Sequence, residues 1–373
     1  MFDESDELHR RARAFVRAFE ASAPSPEPFD RLACDLARFQ ERHVEGYARL
    51  CRARGVSLAS LRCAADAPAV PTDAFKLARV ATFPEEAARA VFRTSGTTLG
   101  ARGTHAMRDV GTYDAAALAF GRAALAHDLE ARVPVLVLGL SPEEAPDSSL
   151  GHMIELFVRE LGVPATGAQT YLVDPEGVID LNAFDERVAR ALLEDVATLV
   201  LGTSFAFVHL LDALGDDTFR LPRGSRVMQT GGYKGRSREV SAVDLRRAVA
   251  QAFAIDERAV VAEYGMTELS SQFWEATLVD PGAKHGLYAE PPWARVAVVD
   301  PETLSPVSDG EVGIARIEDL ANVDSAFAIL TQDRVRRVGE RFELLGRAPG
   351  APPRGCSIAL DEMLSAEADE ASA

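Results

Sequence analysis

Apolar residues near the start of the chain recur at three- and four-residue spacing. Between residues 3 and 63 this spacing is illustrated by Leu32, Leu36, Phe39 and Val44. Such spacing places apolar side chains on one face of an α-helix. The Pro- and Ser-rich segment 21–28 interrupts the pattern and is expected to form a loop between two helices. The pattern predicts an N-terminal helical cap over residues 1–69.

From residue 70 onward, short apolar runs alternate with helical stretches, which is typical of parallel sheet units. Expected strands cover residues 133–140, 197–201, 226–229 and 259–262, and expected helices cover 148–161, 205–214 and 239–253. Further along, strands dominate, at 295–299, 311–317, 327–330 and 341–345. The sequence therefore predicts an α/β core over 70–290, an antiparallel β subdomain over 291–364 and an acidic tail over 365–373.

Composition narrows the class of protein. Apolar residues make up 47% of the 373 positions and charged residues 26%, as in an ordinary soluble globular protein. The formal net charge of −17 argues against nucleic acid as the main partner. The acidic N-terminus is unlike a signal peptide, and no apolar run approaches the roughly 20 residues that span a bilayer. We therefore expect a cytoplasmic protein without a membrane span.

The segment 93–103 carries the clearest chemical signal. It combines hydroxyls, glycines and one cation in a short loop, namely Thr94, Ser95, Gly96, Thr97, Thr98 and Arg102. Glycine lets backbone N–H groups surround an anion, hydroxyls add donors, and an arginine can bind phosphate oxygens. Clusters of this composition are usually ordinary surface turns, so composition alone leaves both interpretations open.

The order of residues in this loop resembles the phosphate loop of adenylate-forming enzymes, the acyl-CoA synthetase and luciferase-like superfamily, which reads T-S-G-T-T-G-x-P-K-G. Here Leu99, Ala101 and Arg102 stand where that pattern has Gly, Pro and Lys. Three further segments follow in the family's order: 264–268 resembles Y-G-x-T-E, 331–333 is similar to T-G-D, and 346–347 resembles a G-R pair. The resemblance implies the large, α/β domain of an adenylate-forming enzyme.

The resemblance also implies roles for residues in an ATP and Mg²⁺ site. Tyr264 would stack near adenine, Glu268 would hold Mg²⁺, Asp333 would bind the ribose hydroxyls, and Arg347 would act on the phosphates. The remaining nucleotide-binding candidates lie in the Y-G-x-T-E segment and after the strand near 226–229, namely Gly265, Met266, Thr267, Gly231, Gly232 and Tyr233.

The C-terminal part resembles one branch of this superfamily. The last lysine is Lys284, and an R-G-C-S segment at 354–357 lies soon after the G-R pair. This is similar to LuxE-type acyl-protein synthetases, which lack the usual small domain and whose cysteine receives the acyl group. Segments 71–76, 148–153 and 230–235 support the resemblance. It implies that Cys356 accepts the acyl group, and we expect the nearby Arg354 to lower its pKa.

Other candidates allow two interpretations each. His152 is expected either near the acyl carboxylate or in a structural position. Phe205 and Phe207 follow a strand on a helix and line either the acyl pocket or the core.

The resemblance implies that a carboxylic acid, expected to be a fatty acid, reacts with ATP to give an acyl adenylate. Cys356 would then accept the acyl group and pass it to a protein partner such as an acyl reductase. Two alternatives stay open: an acyl-CoA ligase of the phenylacetate–CoA type, with free CoA as the thiol, and a non-catalytic adenylate-binding subunit.

Overall fold

The structure is a computed structural model that describes residues 1–94, 101–163, 170–215, 217–231, 240–348, 350 and 352–365. The chain divides into two compact units. The first unit comprises Met1–Ala116, Thr267–Ser271 and Glu290–Ala373, and the second comprises Ala117–Met266 and Gln272–Ala289. The division at residues 70, 291 and 365 that the sequence suggests stays a prediction.

The helices of the first unit begin with the predicted N-terminal group. These are α1 (Phe2–Glu20), α2 (Phe29–His43) and α3 (Glu45–Ala53), followed by the short α4 (Ala74–Leu77) and, near the C-terminus, α10 (Arg354–Leu364). The apolar faces of α1 to α3 are buried, as their spacing predicts. The loop expected at 21–28 lies between α1 and α2.

The strands of the first unit form a mainly antiparallel arrangement. Strands β10 (Ala294–Val299), β11 (Val312–Asp319), β12 (Ala328–Val338) and β13 (Arg341–Arg347) pair in that order. The short β1 (Val70–Pro71) runs parallel to β12. Strands β2 (Ala90–Arg93) and β3 (Thr104–Met107) form a separate antiparallel pair, with the segment 94–103 between them. The four antiparallel strands that the sequence predicts are confirmed.

The second unit is built around a parallel sheet. Its strands β4 (Val135–Leu138), β5 (Leu199–Thr203), β6 (Arg226–Thr230) and β7 (Val260–Tyr264) pair in parallel, and β8 (Phe273–Glu275) and β9 (Leu287–Ala289) continue it antiparallel. Helices α6 (Ser149–Leu161), α7 (Leu181–Glu194), α8 (Ser204–Leu214) and α9 (Ala242–Phe253) follow these strands. Side chains from β5, α8 and α9 meet in one apolar core.

Four helices were not expected from the sequence, and one of them is the short α4. Helix α5 (Gly111–Leu125) runs from the first unit into the second and is rich in alanine, so its apolar positions show little helical periodicity. Helix α7 was also missed, and α10 begins within the segment that its prolines and glycines suggested was a loop. Among the described residues, no helix has the length and apolar character needed to cross a membrane.

Candidate functional site

The segment that carries Glu268 lies in the first unit and is held through its backbone. The carbonyl oxygen of Thr267 lies 2.6 Å from His105 Nδ1, and the carbonyl oxygen of Glu268 accepts a hydrogen bond from Asn322 Nδ2 at 2.9 Å. Asn322 also donates to the carbonyl oxygen of Ala326 at 2.7 Å. Burial lowers the pKa of His105 to about 4, so the imidazole is neutral and holds the segment without adding charge.

The residues that follow Glu268 are fixed by a second buried carboxylate. Asp319 accepts hydrogen bonds from the backbone N–H of Ser270 at 2.8 Å and from the hydroxyl of Ser271 at 2.6 Å. Burial raises the pKa of Asp319 to about 6, whereas these donors favour its ionised form. The segment therefore has little freedom to move relative to β11.

Glu268 is only 6% exposed, yet charged side chains lie near enough to affect its ionisation. Burial raises the pKa of Glu268 to about 7, and the positive charges of Lys76 and Arg347 oppose this effect. The negative charge of Asp333 raises the pKa further. The structure therefore brings together residues 268, 333 and 347, which belong to three separate sequence motifs.

The positions of Asp333 and Arg347 follow from the pairing of β12 with β13. The two residues lie opposite each other in the register, and the register shifts between Asp333 and Val335. Such a bulge turns the side chains around it away from the regular alternation of the strand. The backbone N–H of Asp333 donates to Thr331 Oγ1 at 3.1 Å, and that of Ala348 donates to the carbonyl oxygen of Gln332 at 2.9 Å.

Polar contacts that no sequence motif indicates extend from α4 to this cluster. Lys76 Nζ donates to Asp73 Oδ1 at 2.6 Å, and Gln332 Nε2 donates to Asp73 Oδ2 at 2.6 Å. The available signal was the segment 71–76, which supported the family resemblance without a role for any of its residues. These contacts connect α4 to β12 directly before Asp333.

The ends of the 94–103 segment are closed by hydrogen bonds. The backbone N–H of Thr94 donates to the carbonyl oxygen of Gly103, and that of Gly103 donates to Thr94 Oγ1, each at 2.9 Å. Arg102 donates to the carbonyl oxygens of Thr94 at 2.7 Å and Arg93 at 3.2 Å. These bonds hold Arg102 against the end of β2, and its role in phosphate binding stays a prediction. Four further candidates lie outside the described residues, namely Ser95, Gly96, Thr97 and Thr98.

Cys356 lies in the first turn of α10 rather than in an irregular segment. It is 3% exposed and packs among apolar side chains from β10, β11 and β12. Its thiol lies 3.6 Å from the carbonyl oxygen of Thr331. Burial raises the pKa of Cys356 to about 11, with a further contribution from the negative charge of Asp73, so the expected lowering by Arg354 is wrong.

The glycine before this cysteine has a steric role. A Cβ atom on Gly355 would lie 2.5 Å from Leu304 Cδ2 and 2.9 Å from the carbonyl oxygen of Pro301. The backbone N–H of Gly355 donates to that same carbonyl oxygen at 2.9 Å. Glycine therefore lets the start of α10 lie directly against the turn after β10.

Several nucleotide-binding candidates belong to the second unit. Gly231 follows β6 with a φ of +76°, a conformation that favours glycine. Tyr264 ends β7, and its ring lies 5.9 Å from that of Phe273. Gly265 and Met266 follow Tyr264 directly. Two further candidates lie outside the described residues, namely Gly232 and Tyr233. The nucleotide-binding roles of these residues stay predictions.

The acyl-site candidates are also in the second unit. His152 lies in the first turn of α6, where its backbone N–H donates to the carbonyl oxygen of Ser148 at 2.9 Å. Phe205 is half-buried and contacts His209, with ring centroids 4.3 Å apart. Phe207 is fully buried in the apolar core against Phe253. Packing alone accounts for Phe207, and a role for these three candidates with an acyl group stays a prediction.

The second unit also contains a buried acid, Glu263, which lies one residue before Tyr264 and accepts a hydrogen bond from the hydroxyl of Thr230. Burial raises its pKa to about 7 from the ordinary 4.5. Glu263 therefore ionises at a lower pH in the unfolded chain than in the folded protein. The free energy of unfolding is therefore unaffected by this group below pH 4.5. It falls by roughly 3 kcal/mol as the pH rises from 4.5 towards 7.

Glu263→Gln is expected to increase the free energy of unfolding at pH 8 by up to about 3 kcal/mol and to change it little near pH 5. The amide retains an acceptor for Thr230 and carries no charge at either pH. Urea unfolding at the two pH values measures the effect. Glu176→Gln, at an exposed position of the same unit, is the control and should change neither value. Equal effects of Glu263→Gln at both pH values would contradict the assignment.

The first unit offers one buried carboxylate suited to Mg²⁺. Among the described residues, no group of three or more His, Cys, Asp or Glu side chains is arranged to hold a metal ion by itself. Mg²⁺ bound to a nucleotide commonly takes one or two protein carboxylates, with phosphate and water oxygens completing its ligands. Glu268 fits this donor set, because a cation would offset the cost of burying its charge.

Comparison with solved structures identifies the class of fold. The chain is similar to a 2-hydroxyisobutyryl-CoA ligase in complex with 2-HIB-AMP and CoA, at a TM-score of 0.56 and 14% identity, covering 91% of this chain and 68% of that one. It also matches ATP-bound MatB from Rhodopseudomonas palustris at a TM-score of 0.48 and 17% identity, covering 71% of this chain and only 49% of that structure. The likeness to the 2-hydroxyisobutyryl-CoA ligase confirms the expected α/β fold of adenylate-forming enzymes.

The family follows from the sequence match. The family model "Acyl-protein synthetase, LuxE" matches residues 16–365, and the chain belongs to this family. A curated relative, the long-chain-fatty-acid–luciferin-component ligase of Aliivibrio fischeri, is 24% identical over 353 residues, covering 90% of this chain and 88% of the relative. The expectation that the chain is an acyl-protein synthetase, an enzyme of the ligase class, is confirmed.

Proposed function

We propose that the chain activates a fatty acid with MgATP as an acyl adenylate and transfers the acyl group to Cys356. The carboxylate oxygen of the acid attacks the α-phosphorus of ATP, and the bond from that phosphorus to pyrophosphate breaks. The thiolate of Cys356 then attacks the acyl carbon, forms a thioester and releases AMP. Family membership supports the acid-activating step, and the relative's name supports a fatty acid as the substrate class.

The observation that carries the proposal is the convergence of Glu268, Asp333 and Arg347 in the first unit. Asp333 would accept hydrogen bonds from the ribose hydroxyls. Arg347 would offset the negative charge of the phosphates, together with the backbone N–H groups of the 94–103 loop. Because β12, β13 and the contacts of His105 hold these groups in place, little reorganisation is needed when the substrate binds.

Glu268 would be the protein ligand for Mg²⁺ on the phosphates. When bound, the ion neutralises phosphate charge and polarises the phosphorus–oxygen bond. Asn322 and His105 hold the backbone on either side of the Glu268 side chain, and this fixes where its carboxylate lies.

The acyl group would pass from Cys356 to a partner protein. The relative's name includes a luciferin component, which supports an acceptor outside the chain. An acyl reductase is the partner that we propose. A cytoplasmic location, adenine binding by residues of the second unit and an acyl pocket at Phe205 also remain proposals.

One observation favours a second candidate, an acyl-CoA ligase. Cys356 is buried, and its pKa is raised to about 11, so the described conformation contains little thiolate at neutral pH. Free CoA would then be the thiol that attacks the acyl adenylate. Adenylation is the same in both candidates, and only the second step differs.

The proposed first step is tested by exchange of labelled pyrophosphate into ATP. We expect exchange that requires both Mg²⁺ and a fatty acid, because reversal of adenylation is the only route that returns pyrophosphate to ATP. A series of acids of different chain length identifies the preferred substrate. If none supports exchange, with or without an acyl reductase added, the non-catalytic adenylate-binding subunit becomes the better explanation.

A further inference from the structure

Lys76 is presented by a short helix that is anchored beside Glu268. Helix α4 (Ala74–Leu77) buries Phe75, whose ring meets the ring of His105 edge-on at a centroid distance of 5.8 Å. The same His105 lies 2.6 Å from the carbonyl oxygen of Thr267. One imidazole therefore fixes both the helix that carries Lys76 and the segment that carries Glu268.

The ammonium of Lys76 is linked through Asp73 to the strand that carries Asp333. It donates to Asp73 Oδ1 at 2.6 Å, and the second oxygen of Asp73 accepts from Gln332 at 2.6 Å, directly before Asp333 in the chain. A Cβ atom on Gly103 would lie 3.6 Å from Lys76 Cγ, so the lysine stem lies beside the end of the 94–103 loop. The side chain is 38% exposed, which leaves its charge accessible to a ligand.

The covalent structure of ATP indicates what such a cation would contact. The α-phosphorus is bonded through one oxygen to the ribose and through another to the remaining phosphates. Under the proposed function, Asp333 holds the ribose and Glu268 holds the metal on the phosphates. The charge of Lys76 acts on Glu268, and its partner Asp73 is hydrogen-bonded to the residue before Asp333. Such a cation is placed to contact the α-phosphate, where charge develops during the reaction.

We propose that Lys76 is a further catalytic residue of adenylation, whose ammonium binds a non-bridging oxygen of the α-phosphate, with Asp73 and Gln332 as its positioning residues. This inference rests on the proposed function. As the carboxylate oxygen bonds to the α-phosphorus, the bond to pyrophosphate breaks and pyrophosphate leaves with the electron pair. Lys76 keeps its proton throughout and stabilises the charge on the phosphate oxygens.

The choice of lysine supports this role. The chain has 40 lysines and arginines, and only three are lysine, at 76, 234 and 284. Arginine is thus the usual cation of this protein, including in most of its ion pairs. An ammonium is a compact charge on a flexible stem, so it can move from Asp73 to a phosphate oxygen without matching a planar fork.

The test compares Lys76→Met with Lys284→Met, which removes a lysine from an exposed position in the second unit. Pyrophosphate exchange is measured with ATP and with each diastereomer of ATPαS, in which sulfur replaces one α-oxygen. Lys76→Met is expected to lower the maximal exchange rate about 100-fold and to change the KM for ATP much less. Asp73→Asn is expected to lower the same rate about tenfold, because Lys76 loses its restraint.

The thio substitution separates a catalytic contact from a structural one. If Lys76 binds one α-oxygen, the loss caused by Lys76→Met should be clearly smaller with the diastereomer whose sulfur replaces that oxygen. Equal losses with ATP and both diastereomers would overturn the assignment, as would exchange within threefold of the Lys284→Met variant. If the unmodified protein and Lys284→Met show no exchange with any acid, the proposed function itself falls, and the role of Lys76 falls with it.

Discussion

Glu268→Gln is expected to lower Mg²⁺- and acid-dependent pyrophosphate exchange by about 100- to 1000-fold. The substitution keeps the shape of the side chain and removes the charge that would bind Mg²⁺. Because the carboxyl group is buried, a neutral amide costs less to bury than a carboxylate, so the variant should remain folded. The exchange rate is measured across a range of Mg²⁺ concentrations, and thermal unfolding of the same sample checks the fold.

The matched control is Glu340→Gln. Glu340 lies between β12 and β13, the strands that carry Asp333 and Arg347, but it is exposed. This variant should retain exchange close to that of the unmodified protein, because the charge of an exposed side chain is screened by solvent. If Glu268→Gln also retains exchange within a few-fold, Glu268 is not the metal ligand, and the cation must be held by other groups.

The pattern of apolar residues predicted two kinds of strand. In one kind both faces are buried and the apolar run is continuous, and in the other apolar and polar residues alternate. Strands β4 to β7, β10, β11 and β13 were expected within a few residues, because each contains a short apolar run. Strand β12 was expected to end at residue 330 but continues to Val338, because mostly polar and charged residues follow its apolar run. Helix α5 was missed because its own alanines occupy all of its faces, so no apolar face stands out in the sequence. Helix α10 was missed because the prolines and glycines before Arg354 predicted a loop. Proline is also common where a helix begins, and that is its position here.

The candidate site was predicted only where a residue belongs to a local motif. Glu268, Asp333 and Arg347 could be found from short patterns, and the fold brings them together. The contact of Asp73 with Gln332 joins residues 259 positions apart, and no local pattern indicates it. In the T-G-D motif of the superfamily, a glycine stands where this chain has Gln332, and the structure gives that departure a hydrogen-bonding partner.

The pKa of Cys356 shows why the sequence neighbourhood of a residue can mislead. Arg354 lies two positions away and suggested a lowered pKa. In the folded chain, apolar side chains and Asp73, which are distant in sequence, determine the surroundings of the thiol. Burial therefore outweighs the nearby cation, and this could not be read from the R-G-C-S segment.

Incubation with MgATP and a labelled fatty acid is expected to leave the acyl label on Cys356. The label should be released by neutral hydroxylamine, as a thioester is, and Cys356→Ala should abolish labelling while pyrophosphate exchange persists. Loss of the small buried side chain should cost only about 1 kcal/mol of stability. The matched control is Cys51→Ala, which removes another buried helical thiol of the first unit, with its pKa raised to about 12, and should keep both activities.

The pH dependence of labelling tests the chemistry of the thiol itself. The attacking species is the thiolate, and below a pKa of about 11 its fraction rises about tenfold per pH unit. Labelling at limiting rate should therefore become faster between pH 7 and pH 9, whereas pyrophosphate exchange, which does not use the thiol, should not share that slope. If no label stays on the protein and acyl-CoA forms equally fast in Cys356→Ala, free CoA is the acceptor. Cys356 is then a packing residue of α10, and the chain acts as an acyl-CoA ligase.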